Sequence, residues 1–260
     1  MLPPSKRSDG AKQEKQREKG KKGEKTIPLP TSGKRKSFRT AGEKLNAALD
    51  LLESQWHNEG LPPDLQHEEP LDGLILTILS QHTNDRNRDF AFDRLKERWP
   101  SWEETAAAGY DALEEAIRPA GLAPTKARRI LEVLEIVRAD FGCYSILSLV
   151  EKGRDEARRY LLSLPGVGAK TAACVLVFDM GLPAFPVDTH IARVCRRLGL
   201  VPEETPPEEI CALLEKEAPP SRYLGGHVNI IEHGRAVCRA RGPLCGKCVL
   251  SGLCDFRSGK

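Results

Sequence analysis

Aromatic side chains, long apolar runs and strand-like alternation are scarce or missing in this chain, and each absence narrows what it can be. Aromatics make up 5% of the 260 residues while apolar residues as a whole reach 40%, the balance of an ordinary globular protein with room for one large core or two modest ones. Nowhere do eighteen apolar residues follow one another, whereas a membrane-spanning helix needs about twenty. The N-terminus is polar from Pro3 onward and lacks the apolar stretch of a secretory signal, so a cytoplasmic, nucleoid-associated protein is expected. No segment alternates apolar and polar residues at the period of a half-buried strand, which predicts an all-α fold, arranged as two compact lobes.

Acidic residues are scarce at one end only. Residues 1–40 hold thirteen Lys/Arg against four acids, a net of +9, and because the whole chain is +3 the remainder is −6. Residues 1–38 are also almost without apolar side chains, so they cannot bury enough surface to offset the entropy of ordering and read as a flexible basic tail. A basic tail on an acidic body suits a polyanionic partner such as nucleic acid.

Helical signals fill the rest. Leu45, Leu49, Leu52 and Trp56 recur on one face after Thr40, and Gly60-Leu-Pro-Pro reads as a linker. Leu71 to Leu79 is almost wholly apolar, a helix buried on most sides that ends in the polar run Ser80-Gln-His-Thr-Asn-Asp85. That run either closes the helix or presents its side chains to a ligand. Phe92, Leu95 and Trp99 mark the next face; Ser101-x-x-Glu104 and Asp111-x-x-Glu114 have capping-box spacing; Ile130, Val133, Leu134, Val137 and Phe141 line a longer helix closed by Gly142. Thr205-Pro-Pro-Glu208 pairs a further capping box with prolines at a helix start, and Cys143, Cys174, Cys195 and Cys211 read as core.

Two constellations carry chemistry. Helix 155–163, the turn Pro165-Gly166-Val167-Gly168 and helix 169–180 make a helix–hairpin–helix whose backbone N–H groups suit a phosphate. Lys170 falls in the first turn of the second helix, where the positive end of the helix dipole disfavours an ammonium, and Asp188 follows eighteen residues on, just before another helix. At the C-terminus Cys238-x6-Cys245-x2-Cys248-x5-Cys254 lies on a Gly/Pro-rich loop, a four-thiolate set suited to Zn²⁺ or an iron–sulfur cluster.

Taken in order, Leu164-Pro-Gly-Val-Gly-Ala-Lys-Thr-Ala172, Val187-Asp-Thr-His190-Ile-Ala-Arg-Val-Cys-Arg-Arg197, His233-Gly-Arg-x-x-Cys238 and the four-cysteine loop resemble the endonuclease III family of DNA glycosylases, over residues 40–257. The resemblance implies a six-helix barrel holding the hairpin (68–182, hairpin 155–180) and a second lobe from 39–67 with 183–260, DNA lying in the cleft between. It chooses a [4Fe–4S] cluster on Cys238, Cys245, Cys248 and Cys254, structural in role, with Arg239, Arg241 and Lys247 placed for phosphates. It implies contact with double-stranded DNA containing a damaged base or an abasic site through Gly166, Val167, Gly168 and His190, and insertion of Gln81 and Leu122 where a base is extruded. Lys170 is then the Schiff-base nucleophile and Asp188 its electrostatic partner, in a bifunctional glycosylase and abasic-site lyase acting as a monomer, with an oxidised pyrimidine as the expected lesion. Two alternatives are a monofunctional mismatch glycosylase, against which stand Lys170 and the absence of an acid from Gly73 to Gln81, and a catalytically silent DNA-binding protein, against which stands the Lys170/Asp188 pair. His82 and Asn84 depart from the residues expected beside Gln81, which bears on lesion preference.

Overall fold

The buried helix read from Leu71 to Leu79 is the axis on which half the chain packs. In the computed structural model, which describes residues 38–57 and 65–259, it is α2 (Pro70–Ser80), with Leu71, Leu74, Ile75, Ile78 and Leu79 wholly inaccessible. Glu69 caps it by accepting from Leu71 N at 3.0 Å, and the same carboxylate accepts from Ile146 N at 3.1 Å. Around α2 stand α3 (Asp85–Arg98), α4 (Trp102–Ile117), α5 (Ala123–Phe141), the short α6 (Ser148–Lys152), α7 (Arg154–Ser163) and α8 (Ala169–Phe178). The six longer helices of this set share one apolar core that ends in sequence at Ala184.

A second core takes over at Phe185. It joins α1 (Ala41–Trp56) to α9 (Thr189–Leu198), α10 (Pro207–Glu217), α11 (Tyr223–Ala236) and the loop beyond. The chain thus begins its described part in one lobe, crosses to build the other, and returns. The lobes are joined by Glu215 of α10, which accepts from Arg154 and Arg158 of α7 and from Phe185 N at 3.0 Å. All described helices are α or 3-10, no strand occurs among the described residues, and no helix there is long and apolar enough to cross a membrane.

Local signals meet different fates. Ser101 and Glu104 form the capping box read from their spacing, each side chain bonded to the other's backbone N–H. The Asp111 box does not start a helix: the break falls at Gly109, with φ 78° and ψ 178°, two residues earlier, because only glycine adopts that conformation cheaply. Thr205 does not cap α10 either, since Pro206 occupies that position and no side chain caps it. Cys174, Cys195 and Cys211 are buried, but Cys143 is exposed, because Gly142 has already turned the chain off the core-facing surface of α5. Asn84 caps α3 by accepting from Asn87 N at 2.9 Å, so part of the polar run after α2 is a helix start. The tail through residue 37 and the Gly60-Leu-Pro-Pro linker lie outside the described residues, while Phe38 packs against the second core.

Candidate active site and cysteine loop

Lys170 and Asp188 sit on different lobes and open on one cleft. Lys170 is exposed in the first turn of α8; Asp188 is half-buried at the N-cap of α9, accepting from Ile191 N at 2.8 Å. The cleft, about 560 Å³, is walled by Thr77, Gln81, His82 and Gly168 on one side and by Val187, Arg196, Glu208 and Cys211 on the other. Two side chains at helix N-termini are thereby turned toward a shared space, with the first N–H groups of α8 uncapped by any side chain.

The hairpin turn explains its glycines. Gly166 has φ +75°, the left-handed region, and a Cβ there would stand 2.6 Å from Arg129 Cδ. At Gly168 a Cβ would meet nothing within 4 Å, so that side of the turn is open for a backbone to approach. Val167 is the exception among the residues expected to face DNA: its side chain is buried in the first core, leaving only its backbone for contact. Gln81 closes α2 and is held at both ends, its Nε2 donating to Gly166 O at 3.2 Å and its Oε1 accepting from Arg129 Nη1 at 3.1 Å. Leu122 is 55% exposed with φ 51°, and His82, next to Gln81, has φ 54°. Such left-handed non-glycine residues cost about 1 kcal/mol or more and persist only where neighbours impose them.

His227 and Arg193, close to Asp188, were not legible in sequence. His227 of α11 is buried behind Asp188, with Nδ1 donating to Pro186 O at 2.8 Å, and burial pushes its imidazole down to about 4. A neutral ring with that tautomer fixes the peptide two residues before Asp188. Cys174 lies within hydrogen-bonding reach of Lys170, one turn along α8, and burial pushes its thiol up. His190 packs on Gly234 of α11 and pairs through Nδ1 with Arg193 Nη2 at 3.1 Å; Arg193 also donates to Gly234 O and to Cys238 O, both at 2.9 Å. A lone His or Arg gives no such signal from spacing.

The cysteine loop is wrapped on α9 and α11. Arg197 donates to Arg239 O at 2.7 Å and Ala240 O at 3.0 Å, stacks on Phe256, and reaches Cys238 Sγ at 3.4 Å. His233 Nε2 lies 3.4 Å from Cys248 Sγ. Burial pushes the Cys248 thiol up to about 12, and Cys238, Cys254 and Cys245 add to the rise, so the four sulfurs feel one another; the Leu250 N–H acts the other way. Backbone N–H groups of Arg257 and Phe256 do the same for Cys254. Among the described residues no group of three or more His, Cys, Asp or Glu forms a site for a metal ion. The donor set still fits a thiolate-bound group: four sulfurs on one short loop, with N–H donors aimed at three of them. Arg239, Arg241 and Lys247 are exposed on the same loop.

Comparison with known proteins accords with this geometry. Residues 75–220 match the HhH-GPD superfamily base excision DNA repair protein family. Endonuclease III of Thermotoga maritima is 38% identical over 201 residues, covering 76% of this chain and 90% of that protein. Endonuclease III of Escherichia coli K12 is 32% identical over 213 residues, covering 80% and 95%. A solved structure of a trapped endonuclease III–DNA covalent intermediate, in an estranged-adenine complex, matches with a TM-score of 0.70 at 30% identity, covering 84% of this chain and 97% of that one. A thermostable thymine-DNA glycosylase has the same TM-score of 0.70 at 22% identity, a likeness of fold. Hairpin, cleft and lobes therefore define a DNA glycosylase of base excision repair. Within that class, the chain belongs to the endonuclease III family.

Proposed function

We propose that this protein removes a damaged base from double-stranded DNA, an oxidised pyrimidine first among candidates, and then cuts the abasic strand. The observation that carries this reading is the convergence of Lys170 and Asp188 from separate lobes on one cleft. A base stacked in a duplex keeps its C1′ out of reach, so the nucleotide is extruded into the cleft while Gln81 and Leu122 fill the gap. The hairpin N–H groups at Gly166 and Gly168 hold the adjacent phosphate.

Lys170 forms an Nζ–C1′ bond with its nitrogen lone pair as the C1′–base bond breaks, the electron pair of that bond leaving with the base. Loss of a proton from Nζ and opening of the C1′–O4′ bond, with O4′ protonated, yields the imine. Removal of a C2′ proton then breaks the C3′–O3′ bond, and the 3′ strand leaves with a 5′ phosphate. Asp188, anchored by Ile191 N, faces the positive charge that develops at C1′. His227 keeps that carboxylate in place through Pro186. That a relative has been trapped as a covalent DNA intermediate supports the imine route.

Cys238, Cys245, Cys248 and Cys254 would hold a [4Fe–4S] cluster, which when bound supplies a structural crosslink for a loop with little core of its own. Arg239, Arg241 and Lys247 would then meet phosphates, and we take the lobes as 68–182 and as 39–67 with 183–260, the first core running on to Ala184. We take the protein to act in the cytoplasm, as a monomer. The test is a set of duplexes carrying thymine glycol, uracil, an abasic site, oxidised guanine or an adenine mismatch, incubated with borohydride. Crosslinking with strand cleavage on thymine glycol and abasic duplexes is expected. Base release with an intact strand and no adduct would overturn the lyase mechanism.

A further inference from the structure

Lys126 is the one lysine among the described residues that the fold buries completely, at 1% exposure. It stands near the start of α5, and its Nζ donates to Leu79 O at 2.7 Å and to Ala120 O at 2.8 Å. Among the described residues no carboxylate pairs with it, and burial pushes the amine down to about 8. An ammonium without a counter-ion in a core costs several kcal/mol, so packing alone would be served better by Leu or Met at this site. What the lysine gains instead is specific: Leu79 is near the C-terminal end of α2 and Ala120 ends the 3-10 turn Arg118–Ala120, both carrying unpaired carbonyls at the negative ends of helices.

Each of those carbonyls lies two residues before a side chain assigned to the duplex. Gln81 follows Leu79, and Leu122 follows Ala120 across Gly121. Leu122 holds its left-handed φ of 51° without a side-chain cap on α5, so its direction depends on the segment before it. The buried amine ties the roots of both segments to one point, and it does so without touching the cleft.

We propose that Lys126 is a positioning residue that fixes the separation of Gln81 and Leu122, so that both enter the duplex as one wedge when a nucleotide is extruded. This rests on the reading of Gln81 and Leu122 as inserted residues.

The test avoids catalysis. Full-length Lys126→Met, Gln81→Ala and Leu122→Ala are compared with the parent protein on duplexes with a tetrahydrofuran abasic analogue opposite 2-aminopurine, and on the same duplexes without the analogue. The readouts are the ratio of the two affinities and the 2-aminopurine fluorescence rise on binding. Lys126→Met should keep a cooperative melt and its affinity for undamaged duplex, yet lose about tenfold in the ratio, the equivalent of 1.4 kcal/mol, together with most of the fluorescence rise. Gln81→Ala and Leu122→Ala should fall the same way. If they fall and Lys126→Met keeps the parent ratio, this inference alone is overturned. If neither alanine variant falls, the insertion reading fails and takes the inference with it. Should Lys126→Met not fold, Lys126→Gln is read in its place; failure of both to fold would make Lys126 a residue of fold stability and overturn the proposal.

Discussion

Replacing Glu215 by alanine cuts the ion-pair link between α10 and α7 and tests whether the apposition of the lobes makes the site. The carboxylate side chain is 7% exposed and receives two guanidinium groups and a backbone N–H: Arg158, Arg154 and Phe185. Burial opposes its charge, yet the Arg158 hydrogen bond, the Phe185 N–H and the charge of Arg154 hold its carboxyl below the usual carboxylate range. Removing one partner of a buried pair costs about 3–5 kcal/mol, and because Arg154 and Arg158 retain 31% and 27% exposure we expect about 2–4 kcal/mol here. At about 2–4 °C per kcal/mol for a domain of this size, Glu215→Ala should melt roughly 5–15 °C lower by calorimetry. Glu215→Gln keeps an acceptor for Phe185 N and should lose about half as much.

The sign of the pH effect follows. A carboxyl lowered on folding contributes stability that is complete above its unfolded value near 4.5 and fades as pH falls through the folded value, so Glu215→Gln should flatten acid unfolding below that pH. Because α10 also supplies Glu208 and Cys211 to the cleft wall, Glu215→Ala should cut abasic duplex about 10- to 100-fold more slowly at a temperature where it is fully folded. A variant that melts within about 1 °C of the parent, or melts early yet cuts at the parent rate, refutes the reasoning.

Lys170→Ala should lose borohydride crosslinking and strand cleavage together while still binding lesion duplex, measured by gel shift. Asp188→Asn keeps an N-cap for α9 and should fold, bind and excise base about 10²–10³ times more slowly in single-turnover assays. Cys238→Ser should lower the melting point and the broad absorbance of thiolate-bound iron near about 400 nm; protein that is active, colourless and loaded only with zinc would sink the cluster assignment. His227, pushed down to about 4 by burial, is neutral in the fold; its contribution is full above about 6.5 and fades as pH falls toward 4, so His227→Asn should show a shallower loss of melting temperature over that window.

What was legible in the sequence had its cause close by along the chain. The Ser101 box, the αL glycine after Phe141, the apolar stripe of α2 and the hairpin are set by neighbours within a few residues, and the four cysteines announce themselves by spacing. Where two local signals competed, the stronger backbone constraint won: Gly109 over Asp111, Pro206 over Thr205, and Gly142 over the apolar character of Cys143. Glu215, His227, Arg197 and Lys126 were invisible for the opposite reason. Glu215 meets Arg158 at a separation of 57 residues and Lys126 meets Leu79 at 47, and nothing near a lysine in Pro124-Thr-Lys-Ala-Arg-Arg129 distinguishes it from a solvated one.

These long-range contacts share one arrangement, and it bears on how the site works. Lys170 belongs to a lobe organised by α2, and Asp188 to a lobe organised by α1, α9 and α11, so neither core alone can hold the pair in register. Glu215 sets the lobes against each other, His227 sets the approach to Asp188, and Lys126 sets the two segments beyond α2 and before α5. Lys126 and His227 bond backbone oxygens, while Glu215 bonds two guanidinium groups and the Phe185 N–H; in each case burying a charged or polar group costs stability and returns a fixed position. On the proposed reading, a cleft that receives an extruded nucleotide has to stay open and yet keep Lys170 and Asp188 aligned, and positioning from outside its walls satisfies both demands.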